Sequence, residues 1–430
     1  MKKIKIACTA LALGMVFWAT AQQTPAPMQK QAITITGATT HIGNGTVITN
    51  STIVFNDGKI TAIGGAEITP EGTVIDATGK HVYPGFIATC ASLGLVEVDA
   101  VRASDDQDEI GDMIPHIRSI IAYNSESKVV ESMRPNGVLL AQVSPKGGRI
   151  SGSSSVVQFD AWNWEDAAVK TDEGIHLNWP NSFRNGRWWA GEPRGYLPNK
   201  EYANQIDAVT QFMQNSHAYS KSKPTQVNQA FAAMQGLFTG TQKLYIHADG
   251  EKEIIDAITY AKSYDVKEIV LVGGYQAYKI TDFLKEHNIS VLVRATHNLP
   301  QFEDDDYDLP YKLPKLLLDG GLVVSFQNED AANFQNRNLP FYAGQAASQG
   351  IDRETALQMI TLNAAKILGI DATYGSLEKG KSATLFISKG DALDMIGNQL
   401  SHAFIDGREI SLETHQTELW KRYTEKYSRK

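Results

Sequence analysis

The chain has 430 residues, of which 42% are apolar and 20% charged, and a formal net charge of −8. That length suits one large or two linked globular domains, and the composition excludes a disordered chain. The acidic balance argues against nucleic acid or an anionic membrane as partner, and no stretch beyond residue 21 is long and apolar enough to span a bilayer.

Residues 1–21 read as a secretory signal. Lys2, Lys3 and Lys5 form a basic start, Ile6 to Trp18 an apolar run, and Ala19-Thr20-Ala21 a small-x-small cleavage site before the polar "QQTPAP". Cys8 lies at the head of the apolar run rather than at the cleavage point, which disfavours a lipid anchor. The mature chain is expected to be periplasmic or secreted. Losing three lysines and no acids takes its charge from −8 to −11. Cys90 is then its lone cysteine, so no internal disulfide forms and the fold rests on its core.

Residues 22–83 read as short strands and turns, with the hairpin signal "NDGK" at Asn56–Lys59. The same texture returns in "YGSLEKGKSATLFISKG" (374–390) and "SHAFIDGREIS" (401–411). Neither piece has enough strands to bury a core alone. One β-sandwich built from residues 22–83 and 373–411 is therefore expected, followed by a C-terminal helix over 412–430.

Between them, residues 84–372 alternate. "GVLLAQV" (137–143), "KLYIHA" (243–248), "KEIVLVGG" (267–274), "ISVLVRAT" (289–296) and "LVVSFQ" (322–327) are apolar strands. "EKEIIDAITYAKSY", "YQAYKITDFLKEH", "LPKLLLDGG" and "RETALQMITLNAAKILG" are helix-like, with Ile254, Ile255, Ile258 and Ala261 at helical spacing. Continuous apolar strands alternating with helices indicate parallel β/α units. The predicted class is α/β, a (β/α)8 TIM-like barrel flanked by the composite sandwich. A doubly wound open sheet is the alternative, weakened by the lack of a Gly-x-Gly-x-x-Gly turn after the first strand.

"VYPGFIATCAS", "YIHA" and "NAAKILGI…YGSLEKGKSATLFI" occur in this order, and together they resemble the amidohydrolase superfamily, in its imidazolonepropionase-like branch. Thr384 stands where that last segment commonly carries aspartate. The resemblance implies a hydrolase of carbon–nitrogen bonds, with one or two divalent metal ions at the C-terminal mouth of the barrel that make hydroxide and polarise a carbonyl. It also implies ligands: His-x-His after strand 1, often a carboxylated lysine on strand 4, a histidine each on strands 5 and 6, and an aspartate on strand 8.

Most of that set is missing. Ala88, Cys90 and Ser92 follow "YPGFI"; Gly273 takes the strand-6 place; Asn328 takes the strand-8 place, with Glu329 one residue away. Lys170 is a weak strand-4 candidate, and His247 alone fits its slot. One neutral imidazole does not hold a catalytic zinc, and the Asn328 amide cannot shuttle protons near neutral pH. Cys90 is read as a small apolar filler, against a thiolate ligand or a nucleophile paired with His247. His247 is read as a hydrogen-bonded relic, against a catalytic base.

Other residues compete for a role. "PKGGRISGSSSVV" (145–157) reads as a barrel-loop turn, against an anion-binding nest. Arg294, Thr296 and His297 follow strand 7, where substrate meets such a barrel. His297 with Asp304–Asp306 is a possible relocated metal site, against a solvated acidic loop. Trp162, Trp164, Trp179, Trp188 and Trp189 lie in one aperiodic stretch interleaved with Arg184, Arg187 and Arg194. Such residues form binding hot spots, so Trp188 and Trp189 are candidate contacts for a ligand or partner, against a loop packed on its own barrel.

Two function classes remain. In the first, the chain is a pseudoenzyme, a binding or regulatory subunit that forms a homo-oligomer or a complex with an intact relative and takes a small molecule. In the second, it is an active hydrolase with a rearranged site. No cofactor is expected in the first; zinc or another divalent metal is expected in the second.

Overall fold

A computed structural model describes residues 24–222, 225–329 and 333–429; the signal segment expected over 1–21 lies outside them. Five strands open the fold: β1 (Ile33–His41), β2 (Val47–Asn56), β3 (Lys59–Gly64), β4 (Thr73–Asp76) and β5 (His81–Pro84). The next ten are β6 (Phe86–Ala91), β7 (Val138–Val143), β8 (Ile150–Gln158), β9 (Ala168–Asn178), β10 (Phe183–Asn185), β11 (Tyr196–Pro198), β12 (Lys243–Ala248), β13 (Ile269–Gly273), β14 (Ser290–Val293) and β15 (Val324–Phe326). β16 (Leu385–Ser388), β17 (Leu400–Ile405) and β18 (Arg408–Glu409) follow near the C-terminus.

The two chain ends do meet in one sheet, in the order β18-β17-β16-β5-β1-β2-β3, with β4 beside β1. Strand pairing makes this a single sheet rather than the two-sheet sandwich expected. It forks at Gly37, where φ is +77°: the first half of β1 pairs with β4 and the second half with β5. It also rolls. The β2–β3 hairpin bonds back to the β16 approach, through Ile60 N–H to Lys381 O and Ala383 N–H to Gly58 O. The roll encloses its own core, including Ile35, Ile53, Phe55, Leu385 and Phe404. Asp57 (φ +49°) and Gly58 (φ +78°) make the tight turn that the Asp-Gly pair signalled.

The central strands form a second eight-stranded sheet, β6-β7-β8-β9-β12-β13-β14-β15. Its edges approach through Thr89 and Gln327, and Asn328 N–H donates to Thr89 O, so the barrel is nearly closed. One strand departs from the all-parallel expectation: β8 runs antiparallel to both β7 and β9. The reason is length. Residues 144–149 are too few for the crossover a parallel strand needs, which takes about a dozen residues. The Gly-Ser-rich stretch read as a loop thus holds a turn over 145–149 and then a wholly buried strand.

Outside the barrel lie α1 (Tyr202–Ser220), α2 (Glu251–Ser263), α3 (Thr281–Glu286), α4 (Leu309–Asp319), α5 (Leu339–Ser348), α6 (Arg353–Met359), α7 (Leu362–Leu368) and α8 (His415–Ser428). In α2 the inward positions are Ile254, Ala257, Ile258 and Ala261, the spacing one helical face requires, whereas Ile255, expected on that face, is only half-buried. The segment read as one helix over 353–369 breaks into α6 and α7 at Ile360–Thr361. α8 starts on a capping box in which Thr414 accepts from Thr417 N–H and Thr417 Oγ1 accepts from Thr414 N–H. Among the described residues, no helix is long and apolar enough to cross a membrane.

Sheet and barrel are joined by Asp160, 2% exposed. Its Oδ2 accepts from Arg408 at 2.7 Å and from Ala26 N–H at 2.9 Å, and Arg134 lies 3.9 Å from Oδ1. The junction fixes how the rolled sheet sits on the barrel and leaves the opposite, C-terminal mouth open.

Candidate functional site: the barrel mouth

His247, next to last in β12, lies between two partners. Its Nδ1 is 2.8 Å from Oε2 of Glu329, just beyond β15, and its Nε2 is 2.9 Å from Nδ1 of His176 on β9. Burial pushes the Glu329 carboxyl up, but the opposing pull of His247, their hydrogen bond and Lys146 bring it down to about 2. Burial, then the neighbouring His247, holds His176 well below the usual histidine value, so its ring is neutral. Lys146 donates to the Glu329 backbone carbonyl at 2.7 Å.

Beneath this trio the barrel interior is polar. His176 Nε2 is 2.8 Å from Ser154 Oγ on β8, which is 2.6 Å from Glu173 Oε1 on β9. Glu173 also accepts from Gln142 Nε2 at 2.6 Å and from the Tyr245 hydroxyl at 2.8 Å. Tyr245 stacks on His176 at 4.8 Å. Burial raises the Glu173 carboxyl above its ordinary value, and the three hydrogen bonds only partly offset this. β9 is irregular here: its pairing with β8 shifts between Lys170 and Gly174, and Asp172 takes φ +49°.

At the strand ends where ligands were expected, the structure holds other contacts. Cys90 is buried at φ +47°, where the β6–β7 pairing shifts, and its N–H and Sγ both contact Gln142 Oε1, at 2.9 and 3.5 Å. Ser92 donates to Asn333 at 2.6 Å. At strand 8 the residue facing His247 is Glu329, not Asn328, whose amide donates to Thr89 O at 3.2 Å and whose Oδ1 has no partner among the described residues. At Gly273 (φ +92°) a Cβ would come within 2.6 Å of Asp249 Oδ1. The strand-6 place is thus filled by the Asp249 carboxylate, which accepts from Arg294 at 2.6 Å. Lys170 lies near the start of β9, away from the mouth, and donates to Leu368 O.

The remaining candidates separate. Thr296 is buried and bonded to Gln345; His297 packs edge-on against Tyr342 beside a cavity of about 130 Å³. Asp305 accepts from Tyr275, and Asp306 pairs with Lys312, so the acidic loop and His297 do not form the relocated metal site. Arg294 is the one that reaches the mouth. With His247, Glu329, Asp249 and Trp179 it lines a cavity of about 230 Å³. Beside it is a larger cavity of about 930 Å³, which shares Asn181, Asp249 and Arg294 and is walled by Phe183, Tyr196 and Phe302.

The tryptophan stretch is no single loop. Trp179 is buried, its indole N–H on the Tyr202 hydroxyl at 3.3 Å. β10 and β11 pair as a hairpin, and Trp188 and Trp189 sit at its tip, 60% and 71% exposed. They pack edge-to-face at 6.2 Å, with Arg194 over Trp188 at 5.5 Å. Neither lines either mouth cavity. Trp162 is exposed as well.

Sequence reasoning missed His176, Ser154, Gln142 and Glu173. The resemblance implies a lysine on strand 4, whereas "EGIHLN" carries a histidine between Ile175 and Leu177, an alternation that marks a strand.

A divalent metal does not fit these donors. Both His247 nitrogens are engaged by Glu329 and His176, Cys90 is turned into the interior, and Gly273 offers no side chain. Among the described residues, no three His, Cys, Asp or Glu side chains are placed to hold an ion.

Residues 314–413 match the model of the amidohydrolase family. No curated protein matches the sequence. The structure is similar to an amidohydrolase from Thermotoga maritima MSB8, at 22% identity over 88% of this chain and 99% of that one, with a TM-score of 0.77. It is also similar to a Xaa-Pro dipeptidase with bound methionine, at 14% identity over 88% and 100% and a TM-score of 0.56. A third likeness is to an adenosine deaminase from Xanthomonas campestris with bound zinc, at 12% over 94% and 99% and a TM-score of 0.54.

Proposed function

We propose that this chain, whose amidohydrolase resemblance is borne out by the family match over 314–413 and by its barrel, works without the family's metal, as an exported binding or regulatory protein. The imidazolonepropionase-like branch is not singled out by either likeness. The observation that carries the reading is His247. His247, the histidine that fits the family's strand-5 place, has its two nitrogens held by Glu329 and His176, at 2.8 and 2.9 Å. A metal at this place would have to break both bonds and still lack partners on strands 1 and 6.

What remains is a mouth suited to holding a small polar molecule. The cavity beside His247 offers a paired guanidinium and carboxylate (Arg294 and Asp249), the Glu329 carboxylate and the amides of Asn178, Asn181 and Gln327. The larger adjoining cavity has aromatic walls. A few polar groups set among apolar walls is the usual make-up of a small-molecule site. The exposed Trp188–Trp189 tip, outside both cavities, is the surface offered to a second copy or to an intact relative.

Elemental analysis of the purified mature protein tests the reading. Less than about 0.1 equivalent of zinc, manganese, iron, cobalt or nickel per chain is expected, with no gain in melting temperature on adding zinc. Stoichiometric metal that stabilises the fold overturns it.

A further inference from the structure

From Glu329 to Glu173, five side chains from three strands and one loop touch in series: Glu329, His247, His176, Ser154 and Glu173, at 2.8, 2.9, 2.8 and 2.6 Å. Each internal member can both donate and accept. We propose that this row is a proton wire, which carries a proton between the buried Glu173 carboxyl and the His247 imidazole at the mouth. The proposal rests on the metal-free reading above, because a metal on His247 would take the nitrogen the wire uses.

Donor and acceptor counting gives two complete arrangements. In the first, Glu173 is a neutral acid and donates to Ser154 Oγ. The Ser154 hydroxyl donates to His176 Nε2, His176 Nδ1–H to His247 Nε2, and His247 Nδ1–H to the Glu329 carboxylate. In the second, three protons have each moved one place. The Glu173 proton is on Ser154, the former Ser154 proton on His176 Nε2, and the former His176 proton on His247 Nε2. Glu173 is then a carboxylate and His247 an imidazolium; His176 has changed tautomer and stays neutral. No proton is gained or lost, and no bond other than O–H and N–H changes.

The surroundings satisfy both forms. Gln142 Nε2 has two hydrogens and lies 3.1 Å from Ser154 Oγ and 2.6 Å from Glu173 Oε1, so it donates to both whichever arrangement holds. Tyr245 donates to Glu173 Oε2 in both. An ionised Glu173 would thus keep three donors, and an imidazolium at His247 would keep Glu329 and His176. A buried polar network that is fully satisfied in two ways has two states rather than one.

The charged groups nearby bear on the balance. At the deep end, Lys170 and Lys243 act on Glu173, but each is tied to a carbonyl of α7, Leu368 O and Ile367 O. At the mouth, Lys146 supports Glu329, while Arg294 and Asp249 offset each other. Burial pushes the Glu173 carboxyl up, which favours the first arrangement over the second. The consequence is functional. From the second arrangement the His247 Nδ1 proton can pass to the Glu329 carboxylate, which lines the cavity, leaving His247 neutral with its Nε2 proton, so that a bound molecule meets at Glu329 a proton that the row replaces from inside the barrel.

Histidine-selective ¹⁵N NMR on the full mature chain tests this. In the native protein, His247 Nε2 and His176 Nδ1 are expected to show averaged resonances, intermediate between protonated and unprotonated nitrogen. Glu173→Gln supplies N–H donors but no transferable acid, and Ser154→Ala cuts the row; each is expected to move His247 Nε2 to a purely unprotonated position. Tyr245→Phe, which removes a donor from ionised Glu173, is expected to move it part of the way. A His247 Nε2 already purely unprotonated in the native chain, or unmoved in every variant that keeps native circular dichroism, overturns the wire. The metal assay fails independently: bound metal sinks the metal-free reading, whereas a static tautomer sinks the wire alone.

Discussion

A Cβ placed on Gly273 would lie 2.6 Å from the Asp249 carboxylate oxygen, so a larger residue at the strand-6 position must displace that carboxylate. The backbone there also has φ +92°, which non-glycine residues rarely adopt. Gly273→His, the change that would restore a metal-type side chain, is expected to destabilise the fold by about 1–3 kcal/mol through backbone strain alone, more if the Asp249–Arg294 pair parts, and to bring no zinc binding. Urea unfolding with metal analysis checks both; a stable variant holding one equivalent of zinc would show that the site is merely vacant by sequence.

The buried acid gives a pH signature. The Glu173 carboxyl is raised above its ordinary value of 4.5. Between 4.5 and the folded value, the native chain keeps a proton that the unfolded chain releases. The contribution of this group to stability is therefore fully present below 4.5 and is lost as pH rises through the folded value, with a slope approaching about 1.4 kcal/mol per pH unit. Glu173→Gln does not titrate, so its stability relative to the native protein should improve as pH rises above 4.5. Chemical denaturation from pH 4 to pH 9 reads the difference; parallel curves would show that Glu173 is ionised in the fold.

The tryptophans divide by burial. Replacing Trp188 and Trp189 together by Ala should change stability by less than about 1 kcal/mol, as is usual for exposed positions, while weakening self-association or partner capture measured by analytical ultracentrifugation and pull-down. Trp179→Ala should cost about 3–5 kcal/mol, because it empties a buried site and leaves the Tyr202 hydroxyl without its indole donor. The reverse order of effects would make the hairpin tip part of the core.

The sheet–barrel junction hangs on one carboxylate. Asp160→Asn removes the charge facing Arg408 and Arg134, both largely buried. A loss of about 3–5 kcal/mol is expected, since a buried charge left without its partner cannot recover its hydration. Thermal unfolding checks this, and a shift too small to measure would show that the sheet is held by apolar contact alone.

The sequence alone determined what local pattern can carry. The α/β alternation, the joining of the two chain ends, the Asp57-Gly58 hairpin, the inward face of α2 and the amidohydrolase likeness all follow from periodicity, turn chemistry and short motifs, which depend on residues close together in the chain. So did the loss of ligand types at Ala88, Cys90, Ser92 and Gly273. The tertiary structure decided the rest. That Ile150–Gln158 is an antiparallel strand was hidden because a barrel strand buried among polar partners need not be apolar. That Glu329 rather than Asn328 meets His247 depends on where β15 ends, a matter of one residue. The row from Glu329 to Glu173 joins β8, β9, β12 and the chain beyond β15, positions up to 175 residues apart. No local signal ties a serine in a Gly-Ser run to a glutamate, two histidines and a second carboxylate. Hydrogen bonds form between atoms brought together in space, and only barrel closure brings these together.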